Sequence, residues 1–420
     1  MKKALFAAVL ASSISVPAIA VAQDDPIRIG ILVALEGAFA EGGADGVRNV
    51  EMALEEVGFE AGGRTIEYIV APSDTTPDTA VRQARKLVEQ DGVDIILGPL
   101  SGSEGIALRD YAKTVPDVTI INGISGALET TWVDPADNFF RFNLDGAQWG
   151  AGLGSYVVEE KGWTRVATVA ADYSFGYTNF LGFAVDFCRA GGEIVERFWV
   201  PLGSSDFGGV IAALPDDVDA IYLGVGGTDA INFLNQYQQA GSETNLIGGT
   251  IMADQTVLTS RGRAKDALIG TPTSGPLAVD NTDPAWTEYV ARYQAAFPEG
   301  ERFPAPSLFG VGYYVAALAA IEAINQVDGN VEDAQAFQAA LGALSLETPL
   351  GVVELNENRQ ATGTVFINEV VEDGEGGLTN QLVATREGVN QTLGMTPEEF
   401  RAMGLPSRDT PDCTALGGAG

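Results

Sequence analysis

The segment Gly98-Pro99-Leu100-Ser101-Gly102-Ser103 has the residue types needed to hold a small anion. Its small residues let the backbone approach a guest, and the Ser101 hydroxyl can donate. The amides that open the following helix carry the positive end of its dipole, which suits a carboxylate. The same residues also describe an ordinary Gly-Pro turn with a serine cap, and the sequence leaves both readings open. Asn122-Gly123-Ile124-Ser125-Gly126 repeats the offer. Four further loops share its character: Ala34 to Ala40 with Phe39, Asp172-Tyr173-Ser174-Phe175-Gly176, Gly224 to Asp229 with Gly226, and Gly249-Thr250-Ile251-Met252. Tyr173 and Phe175 can form an aromatic wall or pack into a core.

Residues for making and breaking bonds are scarce by comparison. The 420 residues include no histidine, which removes every imidazole relay and the histidine-based zinc helices. No Lys follows a Gly, so the phosphate-cradling loop is absent, and neither G-x-G-x-x-G nor G-x-S-x-G occurs. Asp328-Gly329-Asn330 begins like a calcium loop, but Asp333 stands where that loop needs glycine. Two cysteines without histidine cannot close a zinc site. Lys plus Arg number 24 against 57 Asp plus Glu, a formal charge of −33. So acidic a chain repels nucleic acid and anionic lipid, and among so many carboxylates chance pairs mean little. A binder of small solutes without a cofactor is expected, not an enzyme.

The loops end strands of an alternating series. Strands are expected at 27–33, 65–70, 94–97 and 118–121, with helices at 46–57, 79–90 and 103–113 between them. A second series follows, with helices at 147–161, 175–190, 207–214 and 230–240 and strands at 166–170, 193–200, 220–224 and 246–249. Short β-branched strands joined by helices argue for parallel sheets covered on both faces, hence an α/β fold. In such sheets ligands sit beyond the carboxyl ends of the strands. After Gly275 come Ala-rich helices at 284–297, 308–325 and 331–341, then hairpin strands at 351–355, 363–369 and 378–385.

Residues 1–22 read as a secretory signal peptide. Lys2 and Lys3 precede an apolar run, and Ala20-Val21-Ala22 offers a cleavage site near Ala22. No later window holds 18 uncharged apolar residues, so nothing else is expected to hold the chain in a bilayer. In an oxidising compartment Cys188 and Cys413 can pair, stapling a C-terminal tail whose residues Thr396 to Glu399 open a short helix; the pairing itself is left open.

The order of these motifs resembles the type I periplasmic solute-binding proteins, and within them the leucine/isoleucine/valine receptors of ABC transporters. The resemblance runs from about Ile27 to Thr385. It is carried by Ile29-Gly30-Ile31-Leu32-Val33 with its Gly-rich loop, by Gly98-Pro99-Leu100-Ser101, and by Phe140-Arg141-Phe142-Asn143 entering the second half. It implies two Rossmann-like lobes with parallel sheets joined by three crossover strands. The N-terminal lobe would be 23–145 plus 276–347, the C-terminal lobe 146–275 plus 348–385, and the tail 386–420. It implies a periplasmic, monomeric protein that hinges shut on one solute and delivers it to the permease subunits of an ABC importer; a sensory subunit for a separate signalling protein is the alternative. By this resemblance Ser101 with Gly102 or Ser103 would bind a carboxylate, Asn122, Gly123 and Ser125 would form the second binding loop, and Tyr173 or Phe175 would cover the guest. Phe39, Leu100, Gly226 and Thr250 complete the candidate contacts. The chain departs from the family's amino-acid members twice. Thr250 stands near the place of the usual acid, with Asp254 the nearest carboxylate, and no tyrosine stands near Gly226. The implied ligand therefore widens from branched-chain amino acids to aliphatic or aromatic carboxylates and amides.

Overall fold

Ile27–Ala34 (β1) is buried at every position except Arg28, as a strand covered on both faces must be. The computed structural model describes residues 25–262 and 264–416, so the export signal read in 1–22 lies outside the described residues. β1 pairs in parallel with Arg64–Ser73 (β3) and Ile95–Leu97 (β4), in registers Ile27 to Ile66 and Ile29 to Ile95. Glu60–Ala61 (β2), Thr119–Ile121 (β5) and Phe139–Phe140 (β6) complete a sheet of order β2-β3-β1-β4-β5-β6.

The second sheet has nine strands: Arg165–Ala171 (β7), Glu193–Val200 (β8), Ala220–Gly224 (β9), Asn245–Gly248 (β10), Pro272–Gly275 (β11), Ser345–Thr348 (β12), Gly351–Leu355 (β13), Ala361–Glu372 (β14) and Leu378–Val389 (β15). Their order is β12-β13-β14-β11-β10-β9-β7-β8, with β15 on β14. Strands β7 to β11 run parallel, and the later hairpins add antiparallel. These are the two lobes of the expected α/β fold.

The helices are Ala40–Glu56 (α1), Pro77–Lys86 (α2), Gly102–Ala112 (α3), Glu129–Trp132 (α4), Gly146–Gly150 (α5), Leu153–Tyr156 (α6) and Ser174–Arg189 (α7). Gly208–Ala213 (α8), Gly227–Gln239 (α9), Gln255–Leu258 (α10), Pro284–Ala296 (α11), Leu308–Gln326 (α12), Ala334–Gly342 (α13) and Pro397–Met403 (α14) follow. By length and composition α12 alone among the described residues could cross a bilayer, but it is packed along α1 in the first core, which accounts for its apolarity.

Two helices differ from expectation. The helix expected at 46–57 starts at Ala40, because Gly42, Gly43 and Gly46 hide the amphipathic period while permitting close packing. A Cβ at Gly43 would stand 1.7 Å from the Ala34 carbonyl oxygen. The helix expected at 147–161 is broken at Ala151 and Gly152, where φ is +83°, and its last turn is a wide one over 157–161. Strands β2, β6, β11 and β12 were not expected, being too short or too polar to show a period.

The chain crosses between lobes from β6 to α5, from β11 to α11 and from α13 to β12. Arg141, fully buried, ties the first crossing together. It donates to the Ala127 carbonyl (2.7 Å), Thr131 Oγ1 (2.6 Å) and Gln360 Oε1, and pairs with Asp145 Oδ2 at 3.5 Å. Burial lowers its pKa to about 10, against the pull of Asp145 and Glu129. The tail is strapped across both lobes. Cys188 and Cys413 are joined, with Cα atoms 5.1 Å apart. Arg408 grips Asp172, Arg197 donates to the Pro411 carbonyl (2.5 Å), and Phe400 packs edge-on against Trp132.

Candidate ligand-binding site

A narrow cavity lies between the lobes at the carboxyl ends of the strands. Phe39, Leu100, Ser101, Gly102, Ile124, Gly126, Leu308 and Phe309 face it from the first lobe, and Trp149, Tyr173, Phe175 and Ile251 from the second. None is charged. Phe175 is shared by two ring contacts, at 5.7 Å from Trp149 and 6.0 Å from Tyr173, while Phe39 and Phe309 stand 5.6 Å apart opposite. Such rings favour a flat apolar guest.

The lobes touch around this space. Ser103 Oγ lies 3.1 Å from Ser174 Oγ, and the Leu308 amide donates to Asp254 Oδ1 at 2.8 Å. A Cβ at Gly102 would be 2.9 Å from that of Phe175, and one at Gly227 would be 2.0 Å from the Ala38 carbonyl oxygen. The cleft is closed.

Its polar character comes from the backbone and one indole. Ser101 caps α3: its hydroxyl accepts from the Glu104 amide (3.4 Å) and donates to the Thr75 carbonyl (3.0 Å), while Glu104 reaches back to the Ser101 amide (2.9 Å). This is a complete capping box, so the hydroxyl is engaged and the Gly102 and Ser103 amides of the first turn remain as donors. The first turn of α7 faces it from the other lobe, with Tyr173 as its cap. Two helix N-termini thus point at one cleft and favour an anion there. Low-dielectric surroundings, then Asp229 and Glu104, push the Tyr173 phenol up, so it stays protonated. Trp149 supplies a donor that sequence reasoning missed. It is 1% exposed, lines the cavity, and its Nε1 has no hydrogen-bond partner among the described residues. The capping box Asp145–Gln148 at the head of α5 fixes its position and was the available signal.

The structure gathers some expected residues and turns others aside. Phe39, Leu100, Ser101, Gly102, Tyr173 and Phe175 line the cavity. Asn122, Gly123 and Ser125 do not. Asn122 Nδ2 donates to the Ser125 carbonyl (3.0 Å) and Asn143 Oδ1 (2.7 Å), and Ser125 Oγ donates to Asn122 Oδ1 (2.6 Å). Gly123 seats the Tyr313 ring, and it is their neighbours Ile124 and Gly126 that reach the cleft. Ser103 reaches across to Ser174, and Gly226 backs onto Ile251. Thr250 is held by Asn179 (3.0 Å and 3.2 Å) and lines an adjoining cavity.

A family model described as periplasmic binding protein matches residues 26–375. The chain is similar to the Leu/Ile/Val-binding protein homolog 6 of Brucella melitensis, with 24% identity over 92% of this chain and 97% of that protein. Among solved structures it is similar to an ABC transporter substrate-binding protein from Sphaerobacter thermophilus, at 29% identity and TM-score 0.78 over 87% of this chain and 99% of that one. It is also similar to an ABC transporter solute-binding protein from Rhodopseudomonas palustris in complex with 3,4-dihydroxybenzoic acid, at 26% identity and TM-score 0.80 over 88% and 99%.

Proposed function

The chain belongs to the periplasmic binding protein family, and from that premise we propose that it is the substrate-binding component of an ABC importer whose ligand is a compact aromatic carboxylate. The single observation that carries this reading is the content of the cleft: five aromatic rings, two helix N-termini and a buried indole N–H, with no charged side chain. A carboxylate would meet the N-terminal amides of α3 and α7 while its ring lay among Phe39, Trp149, Phe175 and Phe309. An amino acid fits less well, because its ammonium would be buried without a carboxylate to receive it, at a cost of several kcal/mol. The relative bound to 3,4-dihydroxybenzoic acid supports the same class.

On this reading the protein is exported, acts as a monomer, transforms nothing and hands its guest to membrane permease subunits. Its lobes comprise residues 23–145 with 276–344, and 146–275 with 345–385, because β12 pairs within the second sheet. A guest touching both lobes favours the closed form by the contacts available only there. Calorimetry of the mature chain against benzoate, 4-hydroxybenzoate, 3,4-dihydroxybenzoate and leucine tests it. Saturable one-to-one binding of an aromatic acid, recovered unchanged, is expected. Tighter binding of leucine, or chemical conversion of the guest, overturns the proposal.

A further inference from the structure

Beside the cleft, and sharing only Leu308 with it, lies a second small cavity with a different chemistry. Its floor is a row across three strands. Thr273 on β11 stands directly opposite Asn368 on β14, and Asn380 on β15, paired with Val370, is the diagonal neighbour of Asn368 on the same face. All three are at least nine-tenths buried. The Asn368 amide nitrogen donates to the Leu277 carbonyl (3.1 Å) and that of Asn380 to the Ala253 carbonyl (2.8 Å), which identifies the free atom of each as the oxygen. Asn368 Oδ1, Asn380 Oδ1 and Thr273 Oγ1 have no hydrogen-bond partner among the described residues. Unpaired buried acceptors are costly, and three on one wall call for a common partner that donates or carries positive charge.

The opposite wall adds the charge. Asp254, 4% exposed, accepts from the amides of Leu308 (2.8 Å) and Thr256 (3.0 Å) and from the Thr256 hydroxyl (3.0 Å), and no lysine or arginine pairs with it among the described residues. The N-terminal dipole of α12 offers roughly half a positive charge. That half is shared, because Asp45 accepts from the amide and hydroxyl of Ser307 at the same helix end, with Arg48 as its own partner at 3.0 Å. A negative remainder is left beside three hard oxygens.

We propose that this cavity binds a small monovalent cation, Na+ or K+, through Thr273 Oγ1, Asn368 Oδ1 and Asn380 Oδ1, with the Asp254 carboxylate as its counter-charge. One carboxylate among neutral oxygens suits a monovalent ion better than Ca2+, whose sites gather several carboxylates. The site is inferred from these four side chains without reference to the solute in the cleft, so the proposal stands whatever that solute is.

The test compares thermal unfolding of the full mature chain in NaCl, KCl and choline chloride at one fixed ionic strength, which holds general screening of the acidic surface constant. A Tm rise that saturates with Na+ or K+ and is missing in choline is expected, and Thr273→Val and Asn380→Leu should each abolish that salt preference. Because the readout is the difference between salts within one protein, a uniformly lower Tm does not disturb it. Should both variants fail to fold, excess 23Na line broadening by the wild-type chain, displaced by K+, supports the site. Equal Tm in all three salts, a salt preference that survives both substitutions, or no excess broadening in a chain whose Tm shows no preference for K+ overturns it and leaves ordered water as the partner of these oxygens.

Discussion

Trp149 Nε1 and Ser101 Oγ exchange the roles that their residue types suggest. Serine in a Gly-rich loop reads as the ligand donor, yet Ser101 and Glu104 stand at the spacing of a capping box, and the box engages the hydroxyl. That spacing was legible and outweighed the loop's composition. The indole was not legible, because a tryptophan in an apolar stretch reads as core; only the placement of α5 by Asp145 and Gln148 turns it to the cleft. Asn122 and Ser125 were misleading for a related reason: two polar residues three apart satisfy each other locally before they serve a guest. Trp149→Phe keeps one aromatic ring at the site, removes the donor and leaves a small void. A hydrogen bond to a charged acceptor contributes about 1.5–3 kcal/mol, so affinity for an aromatic carboxylate is expected to fall roughly ten- to hundredfold, with a lower Tm from the void in the unliganded protein as well. Calorimetry on both proteins checks this, and equal affinities would show the indole pointing away from the guest.

The elements that carry the lobes were readable wherever an apolar period exists: β8, β9 and β13 occupy the expected residues. Elements fixed by distant contacts were not. β11, Pro-Thr-Ser-Gly, has no apolar run and is a strand because β10 and β14 pair with it, and α1 is glycine-rich where α12 and β1 press closest. The tail strap belongs to the same class. Arg408 reaches the loop that carries Tyr173 and holds the Asp172 carboxyl below its ordinary 3.8, helped by Tyr177. A depressed carboxyl pKa contributes stability that is complete above the unfolded value and lost as pH falls through the folded one. Protection of amides 404–412, their exchange relative to a free peptide at the same pH, is therefore expected to hold above pH 3.8 and to fall below it. In Arg408→Ala protection is expected to be low at every pH. A wild-type profile that stays flat down through that window would show that the disulfide alone holds the strap.

At the scale of the whole molecule, two α/β units follow from the repeated strand-helix series, whereas the crossings between them depend on contacts between residues more than 200 positions apart. Arg141 is the clearest case, joining the first crossing to Gln360. Arg141→Met leaves Asp145 and Glu129 buried without their cation, and breaking such a pair costs about 3–5 kcal/mol, readable as a shift in denaturant midpoint. Closure rests on smaller margins. The lobes meet through Ser103 and Ser174, through Ala38 and Gly227, and where the first residue of α3 lies against the first turn of α7. Gly102→Ala tests that seam with little effect on either lobe alone, since alanine favours the helix and Gly102 has an ordinary helical φ. Its Cβ would come 2.9 Å from that of Phe175 and 3.0 Å from Ser174 Oγ across the seam, and 3.1 Å from the Ala127 Cβ within its own lobe, where a shift of a few tenths of an ångström relieves it. Overpacking of this kind costs roughly 1–3 kcal/mol, most of it in the closed state, so ligand affinity is expected to fall about five- to 150-fold while the unliganded Tm changes little. Scattering with saturating ligand should then give larger dimensions for the variant than for the wild type. Matching dimensions and affinities would mean that the cleft does not close by bringing α3 onto α7, and the hinged grip argued from these contacts would have to be abandoned.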